Sequence, residues 1–362
     1  MSYQINIRPS DLVFNVRSGE TILQAALCAG ISLPYGCRNG SCGTCKGKII
    51  QGTVDFGQHN KETLTEKEKT AGMALFCCAT PLSDLVIECH EVSAIKDIKI
   101  KKLPCRVHKL ERVAPDVMII SLKLPANQRL QFLAGQYIDI LLKDGKRRSF
   151  SLANSPHDDE FLHIHARNYP GGVFAKHVFT QMKVKDILRI EGPFGSFFLR
   201  DEPQDKSTIF VASGTGFAPI KSILEYAFYM ENKCSIKKKM SLYWGVQTKA
   251  DLYLAELANK WQQQHENFTF IPVLSNALPT DNWSGREGLV HEAVLQDYKS
   301  LATHQVYACG APIMVKAAYD DFTSLRGLQK DNFFSDVFTP SLAEQKSWEP
   351  VGLKSDRLPS NL

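Results

Sequence analysis

The chain has 362 residues, enough for two or three domains that each bury a core of their own. Its make-up, 44% hydrophobic and 22% charged with a net charge of +5, is that of a globular protein and gives no case for a nucleic-acid partner. The start lacks the basic-then-apolar order of a secretory leader and no apolar run reaches membrane-spanning length, so a cytoplasmic protein is expected, in which ten cysteines point to metal or redox chemistry rather than disulfides.

The first segment, 1–92, opens with strand-like runs at Tyr3–Ile7 and Leu12–Val16. A helix is predicted over Thr21–Ala29, stopped by Gly30, then a loop rich in cysteine and glycine, then a strand at Leu85–Cys89. Residues 93–103 alternate Lys with Ile and read as a linker or an edge strand. Cys28, Cys89, Cys105 and Cys234 stand alone and are expected to be small buried apolar residues.

The second segment, 104–202, reads as close-set strands at Cys105–Val113, Val117–Leu124, Gln136–Leu142, Arg148–Ala153 and Leu162–Arg167, with a short helix over Phe174–Gln181. Turn signals such as Asp144-Gly145 between them predict an antiparallel β-barrel. In the third segment, 203–340, apolar strands (Ile209–Ala212, Leu242–Trp244, Phe268–Leu274, Gln305–Ala308) alternate with helical patterns. One such helix carries Ile220, Ile223, Leu224, Ala227 and Phe228 on a single face, so a parallel α/β sheet is expected. Residues 341–362 are polar and aperiodic, the pattern of a flexible tail.

Three motifs carry chemistry. Cys37, Cys42 and Cys45 have the C-x4-C-x2-C spacing of plant-type [2Fe–2S] sites, and the fourth thiolate must come from Cys77 or Cys78. Gly36, Gly40 and Gly43 let the backbone close on the sulfurs. A zinc half-site explains a lone C-x2-C, but not the full spacing with its glycines and downstream cysteine. Gly171, Gly172, Val173 and Phe174 begin a helix whose N–H groups suit a pyrophosphate, although Pro170-Gly171 is also an ordinary turn. Gly214, Thr215 and Gly216 follow a buried strand, with Pro219 in the first helical turn. That stretch departs from G-x-G-x-x-G. Cys309, Gly310 and Pro312 close the last alternating strand, where a buried cysteine before a helix is the plain alternative.

Taken together, the cluster loop, Arg147-Arg148-Ser149-Phe150-Ser151, Gly192-Pro-Phe-Gly and Gly214-Thr-Gly-Phe-Ala-Pro219 resemble the ferredoxin–NADP reductase superfamily, in the group with an N-terminal plant-type ferredoxin domain. Within it the stretches are most similar to those of the CDP-6-deoxy-Δ3,4-glucoseen reductases. The resemblance implies a β-grasp domain, an FAD barrel and an NAD(P)-binding domain, and selects Cys77, four residues before Pro81, as the fourth iron ligand. It places Arg148 on the flavin phosphates, Phe150 against the isoalloxazine and Ser151 near N5. Cys309, Gly310 and Pro312 fall beside the nicotinamide, and Phe338 is the aromatic covering the flavin. Ala175 departs from the Ser or Thr common after the phosphate turn.

Also implied is an NAD(P)H-dependent reductase that sends electrons through FAD and the cluster to a partner enzyme. For the glucoseen group this partner is a pyridoxamine-phosphate-dependent dehydratase of a CDP-4-keto-6-deoxyhexose. Related reductases serve ring-hydroxylating dioxygenases or multicomponent monooxygenases. A non-catalytic redox sensor or carrier is the reading from another class, against which the intact Gly214–Pro219 and Cys309–Pro312 stretches stand. NADH is expected over NADPH, since Gly245–Asp251 holds one lysine and no arginine.

Overall fold

A computed structural model describes residues 2–89, 98–169, 172–200, 206–234 and 238–338. The expected tail 341–362, Gly171, residues 93–97 of the expected linker and the side chain of Cys234 lie outside the described residues.

The first sheet starts from a hairpin, β1 (Ser2–Arg8) and β2 (Val13–Arg17), whose alternation buries Ile5, Ile7, Phe14 and Val16. Thr21 caps α1 (Ile22–Cys28), its hydroxyl accepting from the Gln24 N–H at 3.2 Å. Helix α1 buries Ile22, Ala25 and Ala26, one face at helical spacing, and this rotates Cys28 onto the solvent side with Gln24. The expectation that Cys28 is buried is therefore wrong, whereas Cys105 is buried and Cys89 half-buried. Next come β3 (Lys46–Gln51), β4 (Val54–Asp55), α2 (Glu66–Thr70), β5 (Met73–Leu75), β6 (Thr80–Pro81) and β7 (Leu85–Glu88). The main sheet has the order β2-β1-β7-β3-β5, with β1 and β7 parallel in its middle and α1 packed across it, a β-grasp arrangement.

The second unit holds β8 (Lys101–Ala114), β9 (Val117–Lys123), β10 (Tyr137–Leu141), β11 (Arg147–Ser151), β12 (Leu162–Arg167), α3 (Val173–Thr180) and β13 (Ile187–Phe194). All pairings are antiparallel in the order β11-β10-β13-β8-β9-β12, and a bridge from Leu152 to Ile164 brings the two edges together into a barrel. Its core of Val107, Ile120, Ile138, Ile140, Leu152, Ile164 and Ile190 is fully buried. Lys101–Leu103, expected in the linker or an edge, open β8 instead, an interior strand between β13 and β9.

The third unit is a parallel sheet of order β17-β16-β15-β14-β18-β19. Its strands are β14 (Ser207–Ser213), β15 (Met240–Val246), β16 (Phe268–Leu274), β17 (Arg286–Glu287), β18 (His304–Gly310) and β19 (Phe333–Val337). They are linked through α4 (Phe217–Cys234), α5 (Ala255–Gln264), α6 (Val290–Asp297) and α7 (Pro312–Leu325). Ile220, Ile223 and Leu224 of α4 are fully buried against the sheet.

Barrel and parallel sheet are joined by side chains. Ser222 donates to the Asn154 carbonyl at 2.7 Å and Lys221 to that of Ala153 at 3.1 Å. Arg167 pairs with Asp116 at 2.6 Å in the barrel and with Asp251 at 2.8 Å across the boundary. His165 lies buried, 2.9 Å from the Tyr253 hydroxyl, and burial first, then the Lys221 charge, holds its pKa well below the usual 6.5. A folded-state pKa that is depressed leaves His165's contribution intact above the unfolded value and removes it as pH falls below 6.5. His165→Gln is expected to flatten the loss of stability between neutral pH and pH ~5, read as urea midpoints at each pH.

Candidate functional site

The cluster loop leaves α1 at Gly30 and is set by close backbone packing. At Gly40, where φ is +78°, a Cβ would stand 2.8 Å from both the Cys78 sulfur and the His59 Cβ, so only glycine fits. Cys37 Sγ accepts from the N–H of Ser41 at 3.4 Å and of Asn39 at 3.5 Å, and Cys42 Sγ from the N–H of Cys37 at 3.4 Å. Cys77, just past β5, returns to the loop because the Phe76 N–H donates to the Cys45 carbonyl at 3.1 Å.

Among the described residues no three His, Cys, Asp or Glu side chains converge as a single ion requires. The thiols form two hydrogen-bonded pairs instead, Cys37 with Cys42 and Cys45 with Cys77. Two thiols per metal is what a cluster with two irons asks for, so the donor set fits [2Fe–2S]. Each pair divides unequally: the shared hydrogen bond first, then burial, push Cys42 and Cys45 well above the usual thiol value. Cys77 is drawn down to about 4 by hydrogen bonds from Cys45 and Cys78, and Cys37 to about 7 by Cys42 and, against burial, by the Asn39 and Ser41 N–H groups. Cys78 lies next to this set, its sulfur 3.6 Å from that of Cys77.

Strand β11 pairs with β10 in the register Tyr137↔Ser151 and Ile138↔Phe150. Alternation sends Arg148 and Phe150 to one side and Ser149 and Ser151 to the other. The Phe150 ring meets that of Phe174 at 5.4 Å, near the start of α3, where Gly172 is the N-cap and offers no side-chain hydrogen bond. An uncapped helix start next to the half-buried Phe150, with Arg148 on the same side of β11, suits the ring and phosphates of FAD.

Between β14 and β18 the strand order changes direction, which is where parallel α/β sheets bind nucleotides. Here Gly214, Thr215 and Gly216 face Cys309 and Gly310 across very little space. A Cβ on Gly216 would stand 2.2 Å from the Cys309 carbonyl oxygen, and one on Gly310 2.2 Å from Ser213 Oγ. Ser213 Oγ accepts from the Ala311 N–H at 2.9 Å, and Trp244 donates to the Gly214 carbonyl at 2.9 Å. Pro219 is the third residue of α4 and Pro312 the first of α7.

The three regions meet. Ser151 donates to Asp336 at 3.2 Å, and Asp336 is the register partner of Cys309. Phe338 is anchored by its N–H to the Gly310 carbonyl at 2.9 Å and is half-buried against the core that holds Cys309. A Cβ on Gly36 would lie 3.2 Å from Cys42 Sγ and 3.7 Å from the Asp336 carboxylate, so the cluster loop reaches the same point. Burial, then the neighbouring Cys42, pushes Asp336 up to about 7 against the hydrogen bonds of Ser151 and the Val337 N–H.

Asp336 escaped sequence reasoning except as one letter of an aromatic stretch; a lone acid among Phe333, Phe334, Val337 and Phe338 is the signal that was there to read. Arg38, Tyr137 and Ser196, which tie the cluster loop to the barrel, were given no role by the sequence, although Tyr137 and Ser196 lie in stretches that carry the resemblance.

Comparison with known proteins covers all three regions. Residues 5–82 match the 2Fe-2S iron–sulfur cluster binding domain, 104–199 the oxidoreductase FAD-binding domain and 210–320 the oxidoreductase NAD-binding domain. The chain is 39% identical to the CDP-6-deoxy-L-threo-D-glycero-4-hexulose-3-dehydrase reductase of Yersinia pseudotuberculosis, over 94% of its own length and all of the relative's. It is 36% identical to the reductase component 1 of a Comamonas terephthalate 1,2-dioxygenase, over 94% and 98%. Among solved structures, a cytochrome P450 reductase from Amycolatopsis superposes with a TM-score of 0.76 at 30% identity, covering 93% of this chain and 99% of that one. The protein is thus an oxidoreductase that uses NAD(P)H, FAD and a [2Fe–2S] cluster to pass electrons to a partner enzyme. No described helix is long and apolar enough to cross a membrane. By domain content and by identity along nearly its whole length, the chain belongs to the iron–sulfur flavoprotein reductases of the ferredoxin–NADP reductase superfamily, the family of the hexulose-3-dehydrase reductases.

Proposed function

We propose that the electron-accepting partner is a pyridoxamine-phosphate-dependent dehydratase acting on a CDP-4-keto-6-deoxyhexose, in the making of a 3-deoxy sugar. The observation carrying this is the 39% identity to a relative named as the reductase of a hexulose-3-dehydrase, matched over that relative's entire length. The working dinucleotide is NADH: the one lysine of Gly245–Asp251, Lys249, has its ammonium on the Asp281 carbonyl at 3.2 Å. The compartment is the cytoplasm, whose reducing poise keeps available the thiolates that iron needs.

Segments 1–92, 104–202 and 203–340 serve as the cluster, flavin and nucleotide domains, with Lys101–Leu103 belonging to the flavin barrel. Cys37, Cys42, Cys45 and Cys77 hold the iron. Arg148, Gly171 and the helix start at Gly172, Val173 and Phe174 take the FAD phosphates, and Phe150 packs on the ring. Gly214, Thr215, Gly216 and Pro219 line the nucleotide side of the crevice, with Cys309, Gly310 and Pro312 opposite. Ser151 and Asp336 share a proton at the reacting edge, and Phe338 shields it from water. FAD when bound accepts a hydride and releases single electrons, chemistry the side chains orient rather than perform.

Anaerobic NADH oxidation with the loaded dehydratase and CDP-4-keto-6-deoxyglucose tests the partner. Turnover that needs every component and forms the 3-deoxy sugar is the expected result. Full reduction of flavin and cluster without sugar product turns the assignment to an oxygenase, the reading favoured by the 36% identity to the terephthalate dioxygenase reductase component.

A further inference from the structure

We propose, resting on the assignment of Cys37 to the cluster and of β11 to the flavin, that Arg38 and Asp139 form a latch docking the cluster loop on the barrel. They are positioning residues for electron passage between the two centres. Arg38 follows the first cluster cysteine and holds φ at +59°, a left-handed conformation that a residue with a side chain keeps only when its surroundings impose it. Its guanidinium crosses the domain boundary to the Asp139 carboxylate on β10 and lies over the Phe194 ring at 3.8 Å.

Asp139 is fully buried. It also accepts from Ser149 at 2.7 Å and lies 3.5 Å from Arg147, which pairs in turn with Glu191. A buried ion pair of this kind contributes little net stability, and fixing one geometry is the use that remains to it.

Neighbouring contacts act in the same place. The Tyr137 hydroxyl donates to the Gly36 carbonyl at 2.7 Å. Ser196 receives the Tyr35 N–H at 3.0 Å, and its own N–H donates to the Tyr35 carbonyl at 3.1 Å. Residues 35, 36 and 38, on both sides of Cys37, are therefore each gripped by the barrel. The strand that grips two of them is paired with β11, Tyr137 opposite Ser151 and Asp139 opposite Ser149. Cluster loop and flavin strand are thus two hydrogen bonds apart through β10, Arg38 and Ser149 both donating to Asp139. Electron transfer falls steeply with distance, so holding this spacing sets its rate.

The test uses holoprotein with Arg38→Gln, Asp139→Asn and Arg38→Lys, mixed anaerobically with NADH. Flavin bleaching is followed by stopped flow and cluster reduction by EPR of rapidly frozen samples. Bleaching is expected to be unchanged, while cluster reduction slows about tenfold or more in Arg38→Gln and Asp139→Asn because the docked state becomes a minor fraction, with Arg38→Lys between them and wild type. Hydrogen exchange is expected to quicken over 33–40 and 190–198 in the slow variants, with the cluster's reduction potential unmoved. Wild-type rates of cluster reduction in both slow variants overturn the latch, and so does a change of potential large enough to account for the slowing. Asp139→Asn lies outside the ligand loop, so it decides the matter if Arg38→Gln loses its cluster. A wild-type protein without a cluster spectrum sinks the underlying assignment instead, and the two failures are distinct.

Discussion

Cys77→Ser is expected to strip the iron–sulfur chromophore from the protein, and Cys78→Ser to leave it in place. Adjacent in sequence and with sulfurs 3.6 Å apart, the two thiols have different company. Cys77 forms the second thiol pair with Cys45, while Cys78 stands outside both pairs, its sulfur meeting that of Cys77. Losing an outer neighbour of a metal site costs roughly 10–100-fold in affinity or activity, and losing a ligand costs more. Cys77→Ser is therefore expected to show no EPR signal on reduction and more than a hundredfold loss of electron delivery to a one-electron protein acceptor, about beyond the outer-shell range. NADH-driven bleaching of its flavin should persist. Iron retained in Cys77→Ser but lost in Cys78→Ser reverses the assignment.

Gly216→Ala is expected to close the nucleotide crevice. The added methyl would stand 2.2 Å from the Cys309 carbonyl oxygen, 2.5 Å from its carbon and 2.8 Å from the Gly310 nitrogen. These are all backbone atoms, in a strand end held between β14 and β19, so no flexible side chain can yield. Overpacking of this sort costs about 1–3 kcal/mol and is relieved by pushing β18 away. A displacement of about 1 Å at a reacting site costs roughly a hundredfold in rate, and the variant's flavin reduction by NADH should fall by about that factor. Dithionite should still reduce flavin and cluster fully, since it needs no crevice. Wild-type NADH kinetics in this variant would remove Gly216 from the nucleotide site.

The fold was legible where local signals agreed. Leu162–Arg167 and Phe268–Leu274 were bounded by turn residues and appear with the same ends as β12 and β16. Strand β13 went unread because Gly192-Pro193 inside it reads as a turn, and Phe333–Val337 because its aromatics drew attention from its pairing with β18. The lysines at 101 and 102 looked like linker because that strand end faces solvent. At the site, the cysteine spacing is local and speaks for itself. The Ser151–Asp336 hydrogen bond spans 185 positions and the Arg38–Asp139 pair 101, distances over which one sequence carries no pattern.

Tyr137 and Ser196 have a bearing on modularity. Each binds the cluster loop through backbone atoms of Gly36 and Tyr35, and the buried Tyr35 hydroxyl meets the Gly195 backbone, so the barrel's grip reads the path of the loop and the tyrosine on it. A foreign ferredoxin domain transplanted onto this barrel would keep these contacts if its loop followed the same trace. Tyr35 and Arg38 would have to travel with it, and a chimera lacking that arginine would be tethered by its chain yet lodged without a charge-specific key.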